Sequence, residues 1–269
     1  MNHLLRELAP LSDAAWKEVD EEAKARLGTY LAARRLVDFS GPQGWDHSAH
    51  NLGRTSAVAD SPHADLRVRT RRVLPLVELR VPFSLARAEL DDIERGAGGV
   101  DLGPLDEAAK VIALAENVAV FHGFAAGGIE GITQATSHGA IKVTGALDSY
   151  PTHVARAVQV LKEDGIGGPF GLALSSDVWT GVVETTEHGG YPLLEHLRRA
   201  IIGGPIVWAP GLEGAVVLSQ RGGDFVFDCG QDLSIGYLGH DVDSVTLYLE
   251  ESFTFKVVDE DAAVALGPA

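Results

Sequence analysis

A chain of 269 residues with 45% hydrophobic side chains can bury the core of one large domain or of two intimate lobes. Its formal charge of −16, from 38 acidic against 22 basic residues, opposes nucleic acid as a partner, because phosphate binding needs clustered Lys and Arg. The lone Cys229 excludes an internal disulfide and a thiolate metal cage, and no window approaches the roughly 20 apolar residues that cross a bilayer. With no secretory pattern in residues 1–10, a soluble protein of the cytoplasm is expected, with no membrane partner.

Ser12 and Asp13 predict a helix start, after which Trp16, Val19, Ala23, Leu27 and Leu31 recur at helical spacing in a charged background. The pattern breaks after Asp38 at Gly41, Pro42 and Gly44. A polar stretch with Trp45, His47, His50 and Pro62 then leads into residues 66–81, which alternate over a length unusual for a compact domain. Pro75 and Pro82 argue against a central strand, so this segment reads as a projecting arm. Arg67, Arg69, Arg71 and Arg72 interrupt the acidic background there. The first three share one face of an extended chain, fit to grip an acidic neighbour, and a protein is favoured over a phosphate.

A short helix is expected over 84–95 with Ser84 as its cap, and a long Ala- and Val-rich spine helix over 105–126, stopped by Gly127 and Gly128. From Thr152 helix and strand alternate: helix to Asp164, strand 170–174, helices 177–184 and 192–202, and strands 206–208 and 215–219. Period-two alternation returns at 224–229, 233–237 and 245–257, with Val245, Leu247 and Leu249 on one face and Thr246, Tyr248 and Glu250 on the other. The chain leaves one lobe and returns to it.

Motifs that announce catalysis are missing from the sequence: there is no nucleophile elbow, Walker loop, zinc-protease His-Glu-x-x-His, Cys-x-x-Cys or dinucleotide fingerprint. Ten histidines include His47 and His50 three apart, His63 nearby, and His188 and His196 around a glycine-rich bend, but no third ligand is defined, so no metal site is expected. The adjacent carboxylates Asp91-Asp92 and Glu250-Glu251 diverge on any regular element and read as solvated faces.

Several blocks occur in a telling order: Leu8-Ala9-Pro10-Leu11 before Trp16, Arg34-Arg35-Leu36-Val37-Asp38, Gly41-Pro42-Gln43-Gly44-Trp45, and Pro75-Leu76-Val77-Glu78-Leu79-Arg80. They continue with Glu89-Leu90-Asp91-Asp92-Ile93-Glu94-Arg95-Gly96, Arg221-Gly222-Gly223-Asp224, Gly230-Gln231-Asp232-Leu233-Ser234-Ile235-Gly236-Tyr237 and Glu251-Ser252-Phe253-Thr254-Phe255. Together, over nearly the whole chain, they resemble an encapsulin of the classical linocin or culture-filtrate-antigen type.

The resemblance implies an α+β chain with the tailed-phage major capsid fold (Hong Kong 97 type). Its peripheral domain would comprise 1–49, 84–132 and 223–256, the extension loop 50–83, and the axial domain 133–222 with 257–269. It implies a non-enzymatic homo-oligomer of roughly sixty subunits closed by icosahedral symmetry. A cargo enzyme, a dye-decolourising peroxidase first and a ferritin-like iron oxidase next, would dock on the inner wall by a C-terminal peptide. Leu27, Leu31, Ile235 and Tyr237 would supply apolar pockets, with Arg34, Asp38 and Asp232 fixing the peptide. Leu27 and Leu31 have a second reading, as packing of the first helix on its own core. Replacing Leu31 or Arg34 by an acid should then leave shells intact but empty. The segment Glu184, Thr185, Thr186, Glu187, His188, Gly189 and Gly190 would line a five-fold pore, with an acidic ring favouring cations. Some members stack a flavin on a tryptophan within 84–90. Arg87 and Ala88 stand there and no aromatic does, so no flavin is expected. A viral-type capsid packaging nucleic acid and a hydrolase or bacteriocin are the alternatives.

Overall fold

The expected first helix begins where Ser12 caps it: the Ser12 hydroxyl accepts the Ala15 N–H at 3.2 Å, and α1 runs Asp13–Tyr30. Ala15, Val19, Ala23 and Leu27, spaced four apart, are buried along the stripe that packs on the spine helix. The computed structural model from which this is read describes residues 3–144, 149–186 and 190–268.

After the short strand β1 (Asp38–Ser40), β2 (Ala49–Ala57) and β3 (Arg69–Pro75) form an antiparallel ribbon, with Ala57 opposite Arg69 and Ala49 opposite Pro75. Among the described residues no third strand pairs with either, and most of the ribbon is exposed. The segment expected to be one arm divides at Leu76. From there β4 (Val77–Ala86) joins the main sheet as an edge strand, which is where Pro82 can sit without removing an interior ladder bond. Ser84 is not a helix cap: it pairs with Thr246 across the sheet, its hydroxyl 2.9 Å from that of Thr246, and α2 begins only at Arg87 (Arg87–Glu94). Sheet pairing up to Ala86 overrides the local cap signal.

The spine helix α3 covers Gly103–His122 with Pro104 in its first turn, and it stops four residues before the expected end. Gly123 ends it at φ +86°, where any Cβ would stand 2.3 Å from the Gln134 side chain, and residues 125–127 form a single separate turn before α4 (Ile132–Ala135).

The second lobe holds β5 (Ile141–Val143), α5 (Tyr150–Glu163), β6 (Phe170–Leu174), α6 (Ser176–Glu184), α7 (Leu193–His196), β7 (Gly203–Trp208) and β8 (Ala215–Ser219). The helix expected over 192–202 continues past α7 as a wider, π-type turn over Leu197–Ile202. Every residue of β6 and β8 is buried, as in a sheet covered on both faces. The chain then returns through β9 (Phe225–Cys229), β10 (Ser234–His240) and β11 (Ser244–Val257), and β12 (Ala263–Pro268) closes the second sheet in the order β5-β12-β8-β6-β7.

The strand β11 organises the first sheet. Phe253 pairs with Val77 on one edge and Cys229 on the other, so β4 runs along one side while β10 and β9 follow one another along the opposite side. Val245, Leu247 and Leu249 pack with α1 and the first half of α3, and Phe227, Phe253 and Phe255 join a second core with Val120 and Phe121 from the end of α3. Phe227 stacks on Phe253 at 4.7 Å between ring centroids.

The reading of Glu250 and Glu251 as a solvated face is overturned, since both are fully buried. They do diverge. Glu250 accepts from Arg80 Nη2 at 2.7 Å and lies 2.6 Å from His3 Nε2, whose ring stacks on Trp45, whereas Glu251 turns to the other face of the strand and meets Arg34. Asp92 pairs with Arg95 near the surface, as expected of such a face.

Candidate functional site

Between the end of α1 and β10 lies a groove of about 480 Å³. Leu27, Gly28 and Leu31 form one wall, Leu233 and Ile235 the other, and Leu249 stands behind them, with Arg6, Asp20, Lys24, Arg34 and Asp232 providing charge. Leu27 and Leu31 are 8% and 9% exposed, so they pack the core and present an edge to the groove at once. Arg6 and Asp20 neutralise each other through two hydrogen bonds of 3.0 and 2.7 Å. Among the described residues Lys24 makes no ion pair.

Thus Leu27, Leu31, Arg34, Asp232 and Ile235 come together, and two other residues named with them do not line the groove. Asp38 opens β1 and accepts the Gly223 N–H at 2.6 Å beside Gln220 and Asp224. Tyr237 sits further along β10, its N–H donating to the Leu4 carbonyl and its hydroxyl 2.5 Å from His240 Nδ1.

The groove floor is held by two polar residues that interrupt the apolar α3. Asn117 is fully buried: its Oδ1 accepts the N–H groups of Ala32 and Ala33, both at 3.0 Å, and its Nδ2 donates to the carbonyls of Tyr30 and Pro210 at 2.9 and 3.0 Å. Every hydrogen-bonding position of that amide is used, which fixes the turn leading into Arg34. Arg34 Nε donates to both oxygens of buried Glu116 at 3.2 and 3.0 Å, Nη2 reaches Glu116 and, at 3.1 Å, Glu251, and Nη1 reaches Asp232 at 2.9 Å. The rings of Phe39 and Phe227 lie 5.1 and 5.4 Å from its guanidinium carbon.

Burial works against the Arg34 charge, yet Glu116 and then Glu251 outweigh it and raise its pKa. Burial lifts the Glu116 carboxyl above its usual range in spite of Arg34, and lifts Glu251 well above it, with Glu116 adding repulsion. Cys229, buried in β9 nearby, has its thiol pushed up to about 12 by burial first and then by Asp232 and Glu251, so it is an inert core side chain. Glu116, Asn117 and Glu251 were not singled out from the sequence as parts of a site. An acid and an amide side by side within an Ala- and Val-rich helix were the available signal.

Elsewhere, Arg69, Arg71 and Arg72 lie exposed on β3 and Arg67 just before it, and with Arg54 of β2 they make no ion pair among the described residues. Glu184 ends α6, the Thr185 N–H closes that helix on the Gly181 carbonyl, Thr186 bridges to Pro192, and Gly190 adopts φ +78°. Glu187, His188 and Gly189 fall outside the described residues. His50 Nδ1 and His47 Nε2 meet Asp228 Oδ2 at 2.7 and 3.3 Å, His63 is exposed, and no cluster among the described residues is arranged to hold a metal. Arg87 and Ala88 open α2.

The family described as "Encapsulating protein for peroxidase" matches residues 1–254. A type 1 encapsulin shell protein of Rhodospirillum rubrum is 51% identical over 271 residues, covering 99% of this chain and 96% of its own. Those of Brevibacterium linens and Mycobacterium tuberculosis are each 44% identical over 99% of this chain and 99% of theirs. Among solved structures, a virus-like particle from Pyrococcus furiosus overlays with a TM-score of 0.62 at 18% identity, covering 93% of this chain and 98% of that one. The Mycobacterium phage Ogopogo structure gives 0.59 at 15% identity, covering 90% and 92%. Those overlays establish the Hong Kong 97 type capsid fold. The relatives are structural shell proteins and not enzymes, and with that family match and those identities the chain belongs to the type 1 encapsulin shell proteins.

Proposed function

We propose that this chain assembles with copies of itself, in the cytoplasm, into a closed icosahedral shell of roughly sixty subunits. The observation that carries the reading is the β2–β3 ribbon. Two strands with both edges open and little core of their own are marginal in water, and a neighbouring subunit would supply the missing partner. On a chain of net charge −16, Arg67, Arg69, Arg71 and Arg72, with no ion pair among the described residues, favour an acidic copy of the same protein over nucleic acid. The two lobes then correspond to peripheral and axial domains, and residues 184–190 to the loop that rings a five-fold pore.

In the same reading the groove between α1 and β10 holds the C-terminal peptide of an enclosed enzyme, a peroxidase in the first instance and an iron oxidase in the second. Apolar walls with separated charges, Lys24 at one place and Asp232 at another, suit a short extended peptide. Chromatography and electron microscopy of the purified protein test the assembly: particles of megadalton scale are expected, and a stable monomer at micromolar concentration overturns it. Co-expression with a candidate cargo, with and without its C-terminal tail, tests docking. Equal loading of both forms overturns it, and nucleic acid within purified particles would favour the viral alternative.

A further inference from the structure

Three carboxylates converge on one guanidinium beneath the groove. Arg34 contacts Glu116, Glu251 and Asp232, and the first two are fully buried. If all three were ionised, two negative charges would stand without a counter-ion, with buried carboxylates among them, an arrangement that costs far more than keeping a proton. Among the described residues no second cation relieves it. Arg80 serves Glu250 on the other face of β11, and the remaining titratable neighbour, the Cys229 thiol of β9, is neutral.

The geometry names the carboxyl that keeps the proton. Glu251 Oε1 is buried with no donor facing it among the described residues, while Glu251 Oε2 accepts at 3.1 Å from the same Arg34 Nη2 that meets Glu116. A buried acceptor left without a donor is costly, and a proton turns the acceptor-only Glu251 carboxylate into a donor for Glu116. Glu116 is the better anion, since three of its contacts come from Arg34.

We propose that Glu251 is a neutral carboxylic acid at physiological pH, donating its proton to Glu116, and that losing this shared proton in alkaline solution sets the two buried carboxylates of the groove floor against each other and destabilises the fold. The proton does not depend on the docking reading; only its bearing on a bound peptide rests there. Burial, with Glu116 behind it, raises the Glu251 pKa well above its usual value. The folded chain therefore binds a proton that the unfolded chain has released above about pH 4.3, so stability declines as pH rises toward the folded value.

Infrared spectra of empty wild-type particles and of Glu251→Gln test this without any cargo. The carbonyl band of a protonated, buried carboxyl is expected in the wild type near neutral pH, shifting in D₂O, fading as pH is raised, and lost in the variant. The Tm of the wild type should fall by several degrees from about pH 6 to about pH 9, while Glu251→Gln, a permanent neutral mimic, stays comparatively flat. Spectra with no such band in the wild type, or parallel Tm profiles, overturn the proposal. Should Glu251→Gln fail to fold, the pH titration of the wild-type band decides alone: a missing band or one that never fades refutes it.

Discussion

Asn117 accepts the backbone N–H of Ala32 at 3.0 Å from the middle of α3, tying the exit of α1 to the spine helix. Replacing it by Leu keeps the volume and strands the N–H groups of Ala32 and Ala33 together with the carbonyls of Tyr30 and Pro210. A loss of about 2–4 kcal/mol is expected in denaturant unfolding, on the scale of orphaned buried polar groups. Asn117→Asp, which keeps the acceptor, should lose less of the turn but bury a charge.

Arg34 is a structural cation before it can be a docking residue. Arg34→Met should cost about 3–5 kcal/mol, because Glu116 and Glu251 are left buried beside each other. Adding Glu116→Gln to that variant should recover part of the loss, and a double-mutant cycle measures how much. The sequence-based expectation that an acid at Arg34 leaves shells intact but empty is therefore revised: Arg34→Glu adds a fourth acid to the cluster and should impair folding.

Gly28 offers a cleaner way to close the groove. It lines the cavity within α1, and a Cβ there meets nothing within 4 Å. Gly28→Leu should improve helix propensity by some tenths of a kcal/mol while filling the cavity. Particles with unchanged or raised Tm but reduced co-purifying cargo are the expected result, read by gel densitometry of loaded shells.

The arm can be altered without touching either core. Arg69→Glu with Arg71→Glu and Arg72→Glu reverses the charge of an exposed ribbon, so circular dichroism of the subunit should be unchanged. Assembly should fail, or should need high salt to screen the new repulsion, as followed by sizing columns at increasing ionic strength.

The parts legible in the sequence were those where local pattern and tertiary environment agree. Strands β6 and β8 match their expected ends because each is a short apolar run, buried throughout. The spine helix was read too long because Phe124–Ala126 suit a helix locally, while its end is dictated by the close approach of Gly123 to Gln134 and Gly131. Ser84 has the chemistry of a cap but lies in a strand paired to Ser244–Val257. Glu250 and Glu251 resembled a surface pair because nothing local reveals that Arg80 and Arg34 arrive from 170 and 217 residues away. Helical spacing puts Leu27 and Leu31 on one face of α1, and their place in a groove came from the family resemblance. Asp38 was named through the resemblance, and it lies outside the groove, accepting the Gly223 N–H.

The register of β4 on β11 gives the arm a particular mechanical character. The ribbon feeds through Leu76 into β4, whose pairing runs from Val77 opposite Phe253 to Ala86 opposite Ser244. Tension along the arm thus loads the entire ladder in shear, so that its rungs must yield together; a pull across the strand would unzip them singly. Because the opposite edge of β11 carries β10, one wall of the groove, the arm and the groove bear on the same strand. In the proposed shell, subunits joined through such arms would resist swelling along the direction in which the arms are stretched.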